Sequence, residues 1–186
     1  MLIIGHRGAG LDDGSKIDMV ELDLRKSVRE IVVHHDRIGK KSGQKLTEVL
    51  QTITLPINLE LKETGFEEEL LGKLKSFSSE VLISSKYPLI LKKIRTLDEN
   101  TRLGLILGSA NFFLLPIIPR LDEFIKLYSI HPKAFLLHAR IARYLKSLDK
   151  KIFAWTVNDP KVFEKLKKLG IDGVFTDQPD IIRNYE

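Results

Sequence analysis

The residues able to do chemistry in this chain gather at the ends of short apolar runs. His6-Arg7-Gly8 follows Leu2-Ile3-Ile4-Gly5. Glu21 and Asp23 interrupt the run Met19-Val20-Glu21-Leu22-Asp23-Leu24; two apart in an extended segment, they point to one face. His34-His35-Asp36 closes the next run, and Glu60 and Lys62 repeat the two-residue spacing in Asn58-Leu59-Glu60-Leu61-Lys62. Taken singly, each has a plainer reading: a solvated edge pair for the carboxylates, a structural histidine for His6, a surface lysine for Lys62. Together they read differently, because the apolar neighbours of Glu21 and Asp23 should be buried, and buried charges must pair or bind a metal. An oxygen-only ligand set of Glu21, Asp23 and Glu60 calls for a hard divalent cation, Mg²⁺ or Ca²⁺, rather than zinc. A cation held beside Lys62 and Arg7 suits a phosphate group, whose developing charge both would neutralise. Histidines at two strand ends supply a base and an acid. That set describes phosphodiester cleavage more naturally than carbohydrate or redox chemistry.

Such residues converge only if the elements carrying them run the same way. Short Ile-, Leu- and Val-rich runs predict strands at 2–4, 20–24, 31–34, 57–61, 81–84, 103–107, 124–129, 151–156 and 173–175. Helical patterns fall at 66–77, 89–96, around 110–115 before Pro116, and at 134–148, 161–169 and 179–184. Strands alternating with helices imply βαβ units and a parallel sheet. A series of about eight strands favours a closed TIM (β/α)₈ barrel, in which the carboxyl ends of the strands share one mouth. No Gly-x-Gly-x-x-Gly follows the first strand, which argues against a dinucleotide fold.

Composition is consistent with this reading. At 186 residues, with no linker or composition break, the chain is expected to be one domain spanning 1–186. Hydrophobic content of 43% and charged content of 30% indicate a soluble globular chain rather than a disordered one. The absence of cysteine excludes disulfides, thiolate metal sites and cysteine nucleophiles, and fits a reducing, cytoplasmic setting. No apolar run is long enough to span a membrane, no signal peptide is visible, and no stable membrane insertion is expected. The formal net charge of +5 is scattered; it reads as a solvated surface, with no motif for nucleic acid.

The residues above form an ordered set that resembles the signature of the glycerophosphodiester phosphodiesterase family, within the phosphatidylinositol phospholipase C-like TIM barrel superfamily. The matching motifs are His6-Arg7-Gly8, Glu21-Leu22-Asp23, Val32-Val33-His34-His35-Asp36 and Glu60-Leu61-Lys62. Trp155-Thr156-Val157-Asn158 and Gly170-Ile171-Asp172-Gly173-Val174-Phe175-Thr176-Asp177 complete the order. No single motif is specific; the ordered series is. The resemblance implies metal-dependent hydrolysis of a small glycerophosphodiester substrate to glycerol 3-phosphate and an alcohol. It further implies Glu21, Asp23 and Glu60 as metal ligands and His6 and His35 as the acid/base pair, with His34 in a variable slot. Arg7 and Lys62 would contact phosphate, and Trp155 the glycerol carbons, although barrel-core packing is the alternative for Trp155.

Two departures stand out. The family's Pro-Glu-Asn-Thr segment and full helix are missing between His-Arg-Gly and Glu-x-Asp, so the first outer helix is expected to be shortened or lost, with Asp12 or Asp13 standing in for the missing glutamate. The insertion that often follows Glu-x-Lys is also missing, which predicts a minimal barrel with no inserted subdomain and an open mouth, partly covered by a loop at 37–46. A lysophospholipase D-type phosphodiesterase, with Phe112, Phe113, Leu114 and Leu115 as an apolar groove, is one alternative; a non-catalytic phosphate-ligand-binding barrel is another. Loss of the outer helix also predicts bare apolar surface around 2–4 and 20–24, and hence a homodimer that covers it.

Overall fold

The computed structural model describes residues 1–11, 16–36 and 43–186. Eight parallel strands close into a barrel in the order β1 (Leu2–Gly5), β2 (Met19–Lys26), β5 (Ile57–Leu61), β6 (Val81–Ser85), β7 (Arg102–Leu107), β8 (Ser129–Pro132), β9 (Lys151–Ala154) and β10 (Gly173–Thr176). Closure is made by β1, which pairs with β10 through Leu2 opposite Gly173 and with β2 through Ile4 opposite Met19.

The two-residue alternation of each strand sorts the side chains into two layers. On β2, Val20, Leu22 and Leu24 face outward into a large cluster shared with the helices; on β5, Ile57, Leu59 and Leu61 do the same. The opposite faces point into the barrel. Ile4, Met19, Leu82, Phe153 and Phe175 form an interior apolar cluster, and Glu21, Asp23, Asn58 and Glu60 belong to that inward set by strand register. The helices α1 (Leu46–Thr52), α2 (Glu67–Leu74), α3 (Pro88–Leu97), α4 (Ile118–Ile125), α5 (Ala139–Lys146), α6 (Pro160–Lys168) and α7 (Pro179–Arg183) follow the strands. The start of α6 shows the local logic: Asp159 accepts the Lys161 N–H at 2.8 Å while Pro160 supplies a preset first helical residue. Between β5 and β6 there is room for α2 alone, so the expected lack of an insertion holds.

Several expectations need correction. The run at 31–34 is not a barrel stave. Its strand, β3 (Ile31–Val33), folds back antiparallel on the end of β2 and carries β4 (Gln44–Lys45) on its other edge. The strand expected at 124–129 begins only at Ser129. Ile118, Leu121 and Ile125 recur at helical spacing and belong to α4, which ends where Lys126 turns left-handed at φ 54°. The helix expected at 134–148 is a short 3₁₀ turn, Ala134–Leu136, followed by α5.

Only a short 3₁₀ turn, His6–Gly8, and no α-helix lies between β1 and β2 among the described residues, in line with a shortened or lost first helix, but the bare patch does not follow. Ile3, Ile4, Val20, Leu22 and Leu24 are all buried, and only Leu2 is exposed. Ile17 and Ile182 of α7 join Ile3 and Val20 in the buried outer cluster. Arg183 fixes this cover, donating from Nε to the Lys16 carbonyl at 2.8 Å and pairing with Asp18 at 3.1 Å. The argument for a homodimer therefore loses its premise. Asp12 and Asp13, and residues 37–42 of the expected covering loop, lie outside the described residues.

Candidate active site

The carboxyl ends of the strands open onto a cavity of about 780 Å³. Its lining includes His6, Arg7, Glu21, His35, Glu60, Lys62 and Trp155, so seven of the eight residues singled out from the sequence reach one space. The eighth, Asp23, is 3% exposed and lies against Arg7 and Lys62.

A tight turn brings His6 and Arg7 to the rim. A Cβ on Gly5 would sit 1.9 Å from the Ala9 carbonyl oxygen, so only glycine lets β1 end there. Arg7 then adopts a left-handed conformation, φ 53° and ψ 39°, of the strained kind that collects at functional sites. That turn aims the Arg7 N–H at Glu21 Oε2, 2.8 Å away, while Arg7 Nε lies 3.3 Å from Asp23 Oδ2.

Glu21, Asp23 and Glu60 each offer an oxygen within 4.8 Å of the others. Register explains this: Glu21 sits opposite Asn58 and Asp23 opposite Glu60 on neighbouring parallel strands. Lys62 Nζ approaches Glu60 at 2.7 Å and Asp23 at 2.8 Å. Even so, Glu21 Oε1 and both Asp23 oxygens accept no aligned hydrogen bond although they are buried. The contacts to Asp23 are charge proximity rather than directed bonds. Burial, with Asp23 and Glu60 adding repulsion, raises the Glu21 pKa well above the ordinary carboxylate range, against the Arg7 N–H and Lys62. Burial also raises Glu60, with Lys62 opposing. Burial acts to lower Lys62, but Glu60 and Asp23 together outweigh it and the ammonium is raised. Converging carboxylate oxygens without directed donors are what a hard divalent cation would satisfy, so the residues fit such an ion.

His6 is held from its other side. Its Nδ1 lies 2.6 Å from Asp177 Oδ1, and its Nε2 lies 4.0 Å from Glu21 Oε2. Asp177 is itself fixed by Asn158, whose amide donates to Oδ2 at 2.8 Å and whose carbonyl oxygen accepts the Asp177 N–H at 2.9 Å. Burial opposes ionisation of Asp177, but the bonds from Asn158 and His6 prevail and lower its pKa. The carboxylate therefore fixes which His6 nitrogen carries the proton and leaves Nε2 facing the cluster. His35, which follows β3 beside the end of β2, also lines the cavity, half-exposed, with Nδ1 2.7 Å from Asp36 Oδ1. His34, its neighbour, turns its Nδ1 to the Asp36 carbonyl at 2.9 Å and is not among the cavity-lining residues. Trp155 is half-buried, lines the cavity and donates from Nε1 to the His131 carbonyl at 2.8 Å.

Sequence reasoning missed three residues here. Asp177 and Asn158 both lie in the motifs quoted above, at strand ends, and that placement was the available signal. His131 stayed hidden because its strand was misplaced. Its ring is 1% exposed, lies between Phe153 and Phe175, meets Ser129 Oγ at 2.8 Å and lines the cavity floor. Burial lowers its pKa to about 3, so it is a neutral group at any ordinary pH.

Fold and site together define an eight-stranded parallel barrel with an anionic cluster and a carboxylate-supported histidine at its C-terminal mouth. Residues 45–181 match the model of the glycerophosphoryl diester phosphodiesterase family. The chain belongs to that family, whose named members are hydrolases. It is 27% identical over 135 residues to a glycerophosphodiester phosphodiesterase of Caldanaerobacter subterraneus subsp. tengcongensis, a match covering 69% of this chain and 54% of that protein. The chain thus spans about half the length of that relative. In fold it resembles a glycerophosphodiester phosphodiesterase of Thermotoga maritima, with a TM-score of 0.83 and 23% identity over 100% of this chain and 98% of that one. It also resembles an Oleispira antarctica phosphodiesterase in complex with the product sn-glycerol-3-phosphate, with a TM-score of 0.82 and 22% identity over 100% and 96% of the two chains.

Proposed function

We propose that this protein, read as a single barrel domain over 1–186 and placed in the cytoplasm, hydrolyses glycerophosphodiesters to glycerol 3-phosphate and an alcohol. The observation that carries this reading is the opposition, in one cavity, of an under-bonded carboxylate cluster and a histidine oriented by Asp177. Glu21, Asp23 and Glu60 would hold a divalent cation, Mg²⁺ or Ca²⁺, which when bound supplies charge neutralisation for the phosphate. Arg7 and Lys62 present cationic nitrogens beside that cluster and would bind the phosphate oxygens. His6 and His35 both line the cavity; one would take the proton of the attacking glycerol hydroxyl and the other give a proton to the leaving alkoxide. The resulting cyclic phosphate is then opened by water with the two roles exchanged. Trp155 supplies an apolar wall for the glycerol carbons. A non-catalytic barrel would have no need of a histidine held in one tautomer.

The test is release of glycerol 3-phosphate from glycerophosphocholine, with and without EDTA, by the parent chain and by His6→Ala and His35→Ala. Turnover is expected only with metal, and is expected to fall by about 10²–10⁴ in each variant. Full activity in both variants would overturn the acid/base assignment.

One observation favours a second reading, a lysophospholipase D-type activity. Phe113, 72% exposed, lines the cavity beside Leu114, whereas Phe112 and Leu115 do not line it. The expected four-residue groove is thus reduced to two side chains. Comparing turnover of a lysophospholipid with that of its deacylated counterpart separates the two readings.

A further inference from the structure

Three successive connections on one side of the mouth turn large apolar side chains out to water. After β6, Leu89 is 81% exposed and Tyr87 45%; after β7, Phe113 is 72% exposed; after β8, Phe135 is 66% exposed. Strands β6, β7 and β8 are neighbours in the barrel, so these side chains form one arc above it. Core packing gives no reason for them, and a contiguous apolar rim around a site normally marks a surface that meets something. Cations accompany the arc. Lys86 Nζ lies 5.0 Å from the Tyr87 ring, and Lys133 Nζ lies 5.1 Å from the Phe135 ring and 5.7 Å from Trp155. The segments 86–95, 108–120 and 133–148, which build this side, contain no aspartate or glutamate. The acidic residues of the mouth belong to other elements: Glu21, Asp23 and Glu60 on β2 and β5, Asp36 after β3 and Asp177 after β10.

We propose that this arc docks the mouth of the barrel onto an anionic phospholipid surface. The aromatic and leucine side chains enter the headgroup layer while Lys86 and Lys133 face lipid phosphates. Aromatic rings with lysines beside them suit that boundary, where one end of a side chain is apolar and the other wet. A second copy of the chain is a poorer occupant, because a two-fold contact would bring together two such faces whose segments carry lysines and no carboxylate to pair with them. No described helix is long and apolar enough to cross a membrane, so the contact is a peripheral one. The inference goes beyond hydrolysis itself, since it concerns where the mouth is held rather than what is cleaved.

The experiment is sedimentation of the full chain with vesicles, in EDTA so that turnover plays no part. Vesicles of phosphatidylglycerol and phosphatidylcholine in equal parts are compared with pure phosphatidylcholine, for the parent and for a Leu89→Ser/Phe135→Ser double variant. Neither residue lines the cavity, so hydrolysis of a water-soluble glycerophosphodiester by the variant is expected to be unchanged. The parent is expected to bind the anionic vesicles about tenfold more strongly than either the variant binds them or the parent binds neutral ones. Three results would overturn the proposal: no binding at low salt, equal binding by the double variant, or a dimer in light scattering that the double variant loses while vesicles are ignored. Binding of monomeric lysophospholipid without vesicle binding would also overturn it, assigning the arc to a single acyl chain. An inactive protein that still binds vesicles would refute only the reading of the site; an active one that ignores vesicles would refute only the docking.

Discussion

Replacing Lys62 by methionine tests the carboxylate cluster directly. Lys62 Nζ lies 2.7 Å from Glu60 and 2.8 Å from Asp23, and its side chain is 13% exposed. Methionine keeps most of the volume and removes the charge. Two unit charges at about 3 Å interact by roughly 5 kcal/mol at an effective dielectric of 20, and removing one member of a buried pair typically costs about 3–5 kcal/mol. For a chain of this size that corresponds to a fall in Tm of roughly 6–20 °C. The loss should appear in full in EDTA, where nothing else offsets Asp23 and Glu60. With saturating Mg²⁺ or Ca²⁺ it should shrink to less than half, because a bound divalent cation supplies the missing positive charge and stabilises by mass action. Calorimetric melting of parent and Lys62→Met, each with and without metal, gives the four values needed. No Tm loss in EDTA would show that Lys62 is not the counter-charge of this cluster, and a loss of the same size with and without metal would show that the carboxylates do not hold the ion.

Three further outcomes are expected. Asp177→Asn should keep the fold by circular dichroism but lower kcat by about 10²–10⁴, because the amide no longer fixes the His6 tautomer; an unchanged kcat would remove Asp177 from the site's support. Gly104→Ala places a Cβ 2.7 Å from the His131 ring and 2.9 Å from Ser129 Oγ, so a loss of about 1–3 kcal/mol in urea unfolding is expected; in a His131→Ala background, where the ring is gone, the same change should cost much less. Glu67 is wholly buried at the start of α2, where burial opposes its charge but Lys93, Thr64 and the N–H groups of Glu67 and Gly65 outweigh it, lowering its pKa to about 2. Its contribution is therefore complete above about pH 4.5, falls as pH drops and is lost below about 2. Glu67→Gln should cost on the order of 2–3 kcal/mol at pH 7, discounted for the half-exposed Lys93, and the two unfolding curves should converge in acid.

The parallel barrel was legible because its strands are short apolar runs whose polar members fall on one face. Glu21, Asp23, Glu60 and Lys62 could be placed together from two-residue spacing within each strand and the parallel course of the two strands. Elements failed where apolar residues served a different period. Ile118, Leu121 and Ile125 are three and four apart and belong to α4, yet its last two residues, Phe124 and Ile125, merge with Leu127 and Tyr128 into the run at 124–129 that reads as a strand. That error pushed β8 off by several residues and hid His131, which sits in a strand ending in proline. The short α1 was missed although Leu46 and Val49 are spaced for one buried helical face. Cover for β1 and β2 could not be read locally, since Ile182 and Arg183 come from the far end of the chain. Asp177 was visible as a residue but not as His6's partner, because that contact depends on barrel closure.

That contact also bears on the order of events in folding. His6 and Asp177 are 171 residues apart, and β1 gains one of its two neighbours only when β10 docks beside it. Long-range pairing of this kind forms slowly and late. Helices and the central strands can assemble around their own local contacts while His6 still lacks its carboxylate. In refolding, the far-ultraviolet signal should therefore recover before catalytic turnover, and turnover would report the moment the barrel shuts.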